Sequence, residues 1–555
     1  MRARAVPLLF AGTTLVYLAL GWWLAVHHGY LMGDALSRVQ AVQAVLFSRD
    51  PHLAAIGFVF TPLTALLELP LVALSPWLPA LTRYGVAGVV VSALFMAGAV
   101  VQVYGIGVDR GAPRWLIVPV TAVFAVNPMI LCYALTGMSE APFVFCGCWA
   151  VRRLIRWVRT DDVHDLITAG AALGLGYLAR YDAVVPIAVT AAFVALRSYL
   201  AARGRKRGDR VAAGVLDALL LIGPGVLAVL TWFVTSWLLT GEGLAQFSSA
   251  YGNAAIIEQS GGAAQQGLAA IGFSAAGLLV LAPALPLIAP VALALGLRRR
   301  DIEVLVPTLI LGSVLAFQAY AYFRGATFPL LRFYIAGIPL VCVYTLQLAP
   351  PVGAPPARRP GRNAGPRGAA VPRARAAAAL GAVLLVLSLP ITAIGLAEPT
   401  ISVQQYALRS LFAGPGDTAP TVDTEHRILA SFRTERAIAD YLDAQHLPDG
   451  SVLTDSVSGF GIVVASERPE QFVIPSDEDF ITVLSDPAAH GVRYILAVPP
   501  VGRGTADAVN RRYPTIYENG GEVAVLELEA PNDGKDQPDW RLYRVIPPRS
   551  GEQGR

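Results

Sequence analysis

Eleven apolar runs occupy most of the chain, and each is about as long as a helix needs to be to cross a bilayer. A hydrocarbon core about 30 Å thick takes about 20 apolar residues in helix. The clear runs are 5–26, 84–108, 115–137, 211–239, 268–297, 304–323, 328–348 and 376–397; three shorter ones, 139–158, 164–181 and 183–200, are separated by charges. Backbone that enters lipid must satisfy its own hydrogen bonds. The sequence therefore predicts a polytopic α-helical membrane protein of about eleven transmembrane helices. Only 15% of the 555 residues are charged, against about 25% in a soluble domain. The first run, Ala5 to Val26, is too long for a secretory signal core and ends at no small-x-small cleavage site, so it reads as a retained helix.

One further stretch, 53–81, is apolar but carries Glu68 and four prolines. Charge parity places it. If it does not span, the clusters Arg110/Arg114, Arg152–Arg159, Arg197–Arg210, Arg298–Arg300 and Arg358–Arg375 all share the side of the basic N-terminus. That puts roughly two dozen Lys and Arg on one side against about six on the other, the bias expected of a cytoplasmic face. The stretch is therefore expected to be interfacial or re-entrant. The non-cytoplasmic side then holds a long first loop (27–83), turns at 137–140, 181–182 and 324–327, a loop at 240–267, and everything after 398. On the cytoplasmic side 350–375, rich in Pro, Gly and Arg, is expected to be a disordered linker.

After the transmembrane module (1–397) and a connector (398–424), the composition turns soluble, and 425–555 reads as a small α/β domain. TERAIADYLDAQHL has helical spacing, SVLTDS and YILAVP are strand-like, and DEDFITVLSDP opens on an acidic N-cap. EVAVLELEA and WRLYRVI alternate as half-buried strands, with Trp540 and Tyr543 expected in their packing. The four cysteines, Cys132, Cys146, Cys148 and Cys342, all lie in apolar runs, so no disulfide framework supports that domain. The C-x-C pair reads as helix packing. The net charge of +4 resides in membrane-flanking loops and gives no support to nucleic-acid binding. His27, His28 and His52 lack metal-ligand spacing, and no phosphate-cradling Gly loop or nucleophile elbow occurs.

The ionisable residues that resist a membrane-orientation account gather on the non-cytoplasmic side. Asp34 follows Gly33 at the start of an amphipathic stretch, ALSRVQAVQAVLF. It is either a helix cap or a carboxylate at the water–lipid boundary, where desolvation raises its pKa and improves it as a base. Glu140 sits in the turn TGMSEAP, a position that also suits a helix N-terminus. Arg180 and Asp182 bracket the turn in LGYLARYDAVVP, as a local ion pair or as functional groups. Arg332 lies four residues into an apolar run; Arg324, eight residues earlier, is explained by snorkelling to the interface. A guanidinium at the depth of Arg332 calls for a carboxylate or phosphate partner. Together they suggest a cavity that receives an anionic, lipid-anchored substrate.

The segments GDALSRVQ, NPMILCYALTGMSEAPF, LGYLARYDA and RFYIAGIPL resemble recurring segments of the GT-C glycosyltransferases, of the protein-mannosyltransferase and aminoarabinose-transferase type (glycosyltransferase family 39-like, or ArnT-like). The resemblance covers roughly residues 1–345. Members often carry two adjacent acids in the first loop; here Gly33 precedes a single Asp34. The Arg- and Ala-rich composition also resembles an actinobacterial chain, where decaprenyl-phosphate sugars are the usual donors. The resemblance implies an inverting transfer from a polyprenyl-phosphate sugar to an envelope glycan, lipid or protein. It casts Asp34 as the base, acting alone or with Glu140, and Arg332 as the phosphate partner with Arg180 or Arg324; Glu140 and Asp182 are read as further substrate-side groups. It implies no cofactor: a divalent metal on Asp34 and Glu140 would have a thin ligand set. The competing readings are a flippase for lipid-linked sugars, against which no internal repeat is found, and a non-catalytic envelope scaffold.

Overall fold

The structure, a computed structural model, describes residues 2–244, 257, 266–350, 370–413 and 417–547. Most of the 240–267 loop and of the 350–375 linker lies outside the described residues. Each of the eleven apolar runs forms helix: α1 (Arg2–Trp22), α4 (Val86–Arg110), α5 and α6 (Arg114–Val126, Pro128–Leu135), α7 (Glu140–Thr160), α8 (Val163–Ala179), α9 (Val184–Ala201), α10 (Arg207–Thr240), α11 and α12 (Leu268–Leu281, Leu285–Arg299), α13 (Ser313–Phe323), α14 (Gly337–Leu348) and α15 (Ala370–Leu396). Among the described residues, seven stretches are long and apolar enough to span, and nine if each of two bent pairs counts as one span. The protein is a polytopic helical membrane protein. The count falls below eleven because α7 carries four arginines, Arg152, Arg153, Arg156 and Arg159, and α8 has only 17 residues.

Both bends have local causes. At Asn127-Pro128 the Asn127 side chain accepts from the amides of Met129 (3.0 Å) and Ile130 (3.4 Å), restarting the helix at a proline with a 55° change of direction. At Ala282-Pro283-Ala284 the break is 80°. Elsewhere the helices approach closely through glycine. A Cβ on Gly170 would lie 2.1 Å from the Leu221 carbonyl oxygen, and one on Gly174 2.9 Å from that of Pro224, so the Gly-x-x-x-Gly step lets α8 seat directly on the backbone of α10.

Arg110 and the four arginines of α7 are ion-paired at one end of the bundle. Arg110, 2% exposed, donates to Asp301 (2.8 Å), to Glu303, and to the carbonyls of Gln347 and Ala349 (both 3.1 Å). Arg159 also reaches Glu303, Arg152 pairs with Asp109 (2.7 Å), and Arg153 and Arg156 share Asp165. One staple thus joins α4, α7, the 302–305 turn and the end of α14.

At the opposite end the first loop folds into α2 (Gly33–Phe47), a turn at Leu53–Ile56, α3 (Leu63–Val72) and a turn at Ala80–Arg83. Within 53–81 the longest helix, α3, has ten residues and contains Pro70. The C-terminal region packs on this loop. It contains α16 (Arg433–Asp443), α17 (Ser456–Ala465), α18 (Phe480–Ser485), α19 (Ala508–Arg512) and strands β1 (Val452–Leu453), β2 (Phe472–Val473), β3 (Tyr494–Ala497), β4 (Ala524–Ala530) and β5 (Trp540–Val545). The sheet order is β2-β1-β3-β5-β4, parallel among the first three and antiparallel through β5 and β4. Trp540 and Tyr543 are buried in it, as their alternation predicts. Asp479, at the N-cap of α18, does not cap with its side chain; it accepts from Arg49 in the first loop. Arg83 forms a two-pronged pair with Asp440, both contacts 2.7 Å, and Phe432, Phe460 and Val464 join Leu36, Val39 and Val42 of α2 in one apolar cluster.

Candidate active site at the mouth of the bundle

Four separate parts of the chain bring charge to the end of the bundle covered by the first loop. Asp34 and Arg38 stand one turn apart on α2, Glu140 opens α7, Arg180 and Asp182 flank the α8–α9 turn, and Arg332 lies in a 3₁₀ turn, Leu331–Tyr334, before α14. They form one chain of contacts. Arg332 donates from Nη2 to Asp34 Oδ2 (2.7 Å), and its Nε lies 3.6 Å from Glu140 Oε1. Arg180 donates from Nη1 to the same Glu140 oxygen (2.6 Å) and from Nε to Asp182 Oδ2 (3.0 Å). The Phe333 ring lies beside both guanidiniums, 5.5 Å from Arg332 and 5.3 Å from Arg180.

Asp34, Glu140, Arg180, Asp182 and Arg332 thus meet in one cluster. Arg324 does not join it: it is exposed at the C-cap of α13. Asp34 does not cap α2, whose N-cap is Met32. Asp34 and Glu140 both stand in the first turn of their helices, as suits an acidic group, and each also gives an oxygen to arginine. The local Arg180–Asp182 pair exists, but Arg180 also reaches across to α7. The position of Glu140 depends on Gly137, whose φ of +73° turns the chain before α7; a Cβ there would lie 3.1 Å from the carbonyl carbon of Gly88.

Two residues escaped the sequence reading. Arg38, 6% exposed, donates to the Asp34 carbonyl (3.1 Å) and to Ser139 Oγ (3.4 Å), with its guanidinium 4.3 Å from the centre of the Phe60 ring. Its i, i+4 spacing from Asp34 on an amphipathic helix was the available signal. Glu68, the one acid in the apolar 53–81 stretch, is fully buried on α3, with neither carboxylate oxygen hydrogen-bonded among the described residues. Burial pushes its pKa up to about 8 against the opposing charge of Arg38, so it is chiefly a neutral acid at pH 7.

Access divides the three carboxylates of the contact chain. The side chain of Glu140 is 1% exposed and that of Asp182 2%, while that of Asp34 is 41% exposed. Burial alone would push Asp34 up, as the sequence reading expects. The charges of Arg332 and Arg38, the Arg332 hydrogen bond and the charge of Arg503 outweigh it and bring Asp34 down to about 2. The expectation of a raised pKa is thus reversed. Unsatisfied hydrogen-bonding capacity remains on Glu140 Oε2, Asp182 Oδ1 and Arg332 Nε among the described residues. A small cavity lined by Glu140, Arg180, Asp182, Arg332 and Phe333 opens beside them, and an apolar cavity between α7, α8 and α9 shares Phe143, Val314 and Ala336 with it. Among the described residues no three His, Cys, Asp or Glu side chains are grouped to hold a metal.

No family model and no curated protein matches the chain. Its fold is similar over nearly the whole length to ArnT from Cupriavidus metallidurans bound to undecaprenyl phosphate, with a TM-score of 0.53 at 13% identity, covering 97% of this chain and 98% of that one. The apo form of the same protein gives 0.50 at 14% identity, covering 98% and 99%. AglB, an oligosaccharyltransferase from Archaeoglobus fulgidus in complex with an inhibitory peptide and a dolichol-phosphate, gives 0.40 at 12%, covering 88% and 69%. The fold is ArnT-like: a polytopic helical module followed by a C-terminal mixed sheet.

Proposed function

We propose that the chain is an inverting glycosyltransferase that takes a sugar from a polyprenyl-phosphate donor at the outer face of the plasma membrane and passes it to an envelope glycan, lipid or protein. The observation that carries this reading is the pairing of an accessible carboxylate, Asp34, with Arg332 at the mouth of a helical bundle. The positive-inside bias supports a cytoplasmic N-terminus and an extracytoplasmic C-terminal domain. A neighbour of the same fold, ArnT from Cupriavidus metallidurans, is described with undecaprenyl phosphate bound, and that lipid class is carried over here.

In this mechanism the acceptor hydroxyl gives its proton to Asp34 while its oxygen bonds to the anomeric carbon. The bond from that carbon to the donor phosphate oxygen breaks, and the polyprenyl phosphate leaves with the electron pair. Arg332, Arg180 and Arg38 supply positive charge where that negative charge accumulates. Paired with Arg332, Asp34 is a weak base, because the guanidinium holds it ionised. A donor phosphate competes for Arg332, and as the guanidinium turns toward it Asp34 loses its counter-charge and becomes more basic. The base is thereby strengthened by arrival of the substrate. Glu140 and Asp182 stay paired with Arg180 and keep the cations in place.

The test is Asp34→Asn with transfer measured from a radiolabelled polyprenyl-phosphate sugar. Full activity in that variant would remove Asp34 as the base, and lipid movement across the membrane without transfer would favour the flippase.

A further inference from the structure

The contact chain at the mouth of the bundle leaves a specific remainder of hydrogen-bonding capacity. Arg180 spends Nη1 on Glu140 Oε1 (2.6 Å) and Nε on Asp182 Oδ2 (3.0 Å), so it holds each carboxylate by one oxygen only. The second oxygens, Glu140 Oε2 and Asp182 Oδ1, are buried and accept no hydrogen bond among the described residues. The N–H of Arg332 Nε finds no acceptor there either; Glu140 Oε1 lies 3.6 Å away. All three side chains line one small cavity, whose other walls are Arg180 and the apolar Phe143, Val314, Phe333, Ile335 and Ala336. It has room for about one water-sized group. Charged groups left bare in so buried a site are costly, and an occupant that pairs with them removes that cost.

Two free acceptors and one free donor define the occupant. It must donate to a carboxylate and accept from a guanidinium N–H, which a hydroxyl does. An ammonium only donates and would leave Nε unpaired; an ether oxygen only accepts and would leave both carboxylates unpaired. We propose that this cavity is a recognition pocket for one hydroxyl of the donor sugar, the one on the carbon next to the anomeric carbon, with Glu140 and Asp182 as specificity-determining residues. The position follows from Arg332. One planar guanidinium offers Nη2 to the donor phosphate and Nε to the cavity, so the group in the cavity is a near neighbour of the phosphate along the sugar. The anomeric carbon has two neighbours in the ring, that hydroxyl-bearing carbon and the ring oxygen, and the ring oxygen has no proton to give. The inference rests on the reading of the chain as an enzyme of polyprenyl-phosphate sugars.

The test is equilibrium binding by the full-length protein in detergent and needs no transfer. The probes are radiolabelled undecaprenyl-phosphate glucose, its mannose epimer, which differs only at that hydroxyl, and the 2-deoxy compound common to both. Affinities are taken relative to undecaprenyl phosphate, so that damage to the phosphate site cancels. One epimer is expected to bind wild type about 10- to 100-fold more tightly than the 2-deoxy compound, which leaves the buried groups unpaired. Glu140→Gln and Asp182→Asn keep one oxygen for Arg180 and turn the free acceptor into an amide donor. Each is expected to bring the ratio to within about threefold of one, and Ala336→Val, which fills the cavity without touching a charge, to do the same. Equal binding of the three sugar lipids by wild type overturns the inference, since the cavity then holds only water. So does a preference that survives all three substitutions, which would place the hydroxyl elsewhere. Sugar transfer without discrimination refutes this inference alone; discrimination in binding without transfer refutes the glycosyltransferase reading alone.

Discussion

Arg332 holds Asp34 at 2.7 Å across 298 residues of sequence, and the same guanidinium has its Nε 3.6 Å from Glu140. One side chain therefore restrains the accessible carboxylate and borders the buried one. Removing either partner should have a different signature.

Asp34→Asn keeps the shape but removes the proton acceptor. Sugar transfer is expected to fall by about 10²- to 10⁴-fold, the usual contribution of a general base, while undecaprenyl phosphate still binds. Equilibrium binding of the labelled lipid alongside initial rates of transfer checks both halves.

Arg332→Ala should instead weaken undecaprenyl phosphate binding, by about 10-fold to 100-fold for one charge-assisted contact. Asp34 also loses its main counter-charge and should take up its proton at higher pH than the wild type. A titration of lipid binding, with carboxyl labelling of Asp34 at pH 5, reports both effects; unchanged binding would take Arg332 out of the phosphate site.

Glu68 gives a pH prediction of definite sign. Its pKa rises from 4.5 to about 8 on folding, chiefly by burial. Between those values the folded chain holds a proton that the unfolded chain has lost. Stability from this group is thus full below pH 4.5 and declines as pH rises toward 8, by about 1.4 kcal/mol per pH unit. Thermal unfolding in detergent should show that decline, and Glu68→Gln should flatten it. A slope unaltered by the substitution would contradict a neutral Glu68.

Gly170→Ala places a Cβ 2.1 Å from the Leu221 carbonyl oxygen, a backbone atom that cannot swing aside. The α8–α10 pair must separate, at a cost of about 1–3 kcal/mol, seen as a lowered midpoint of thermal aggregation in detergent. An unchanged midpoint would mean that the two helices have room to spare.

The sequence reveals what depends on local composition. The apolar runs, the Asn127-Pro128 restart and the alternation of Trp540–Val545 follow from neighbouring residues alone. It also picks out Asp34, Glu140, Arg180, Asp182 and Arg332 as anomalies, because charge near lipid requires a reason. It cannot pair them, since Asp34 and Arg332 meet only through the turns of the whole bundle. The direction of the Asp34 shift is hidden for the same reason: desolvation is legible from context, whereas the opposing arginine is not. Asp479, apparently an N-cap, was claimed by Arg49, and Phe472–Val473 was too short a strand for any alternation to register.

Helix α2 is read from both sides. Its charged residues answer to α7 and the 331–334 turn, and its apolar face answers to Phe432, Phe460 and Val464. A substitution in α2 is therefore judged twice, once by the bundle and once by the C-terminal region. Related chains that drift apart in sequence should change these surfaces together, and a C-terminal region grafted from a distant homologue should fold yet seat poorly unless α2 travels with it.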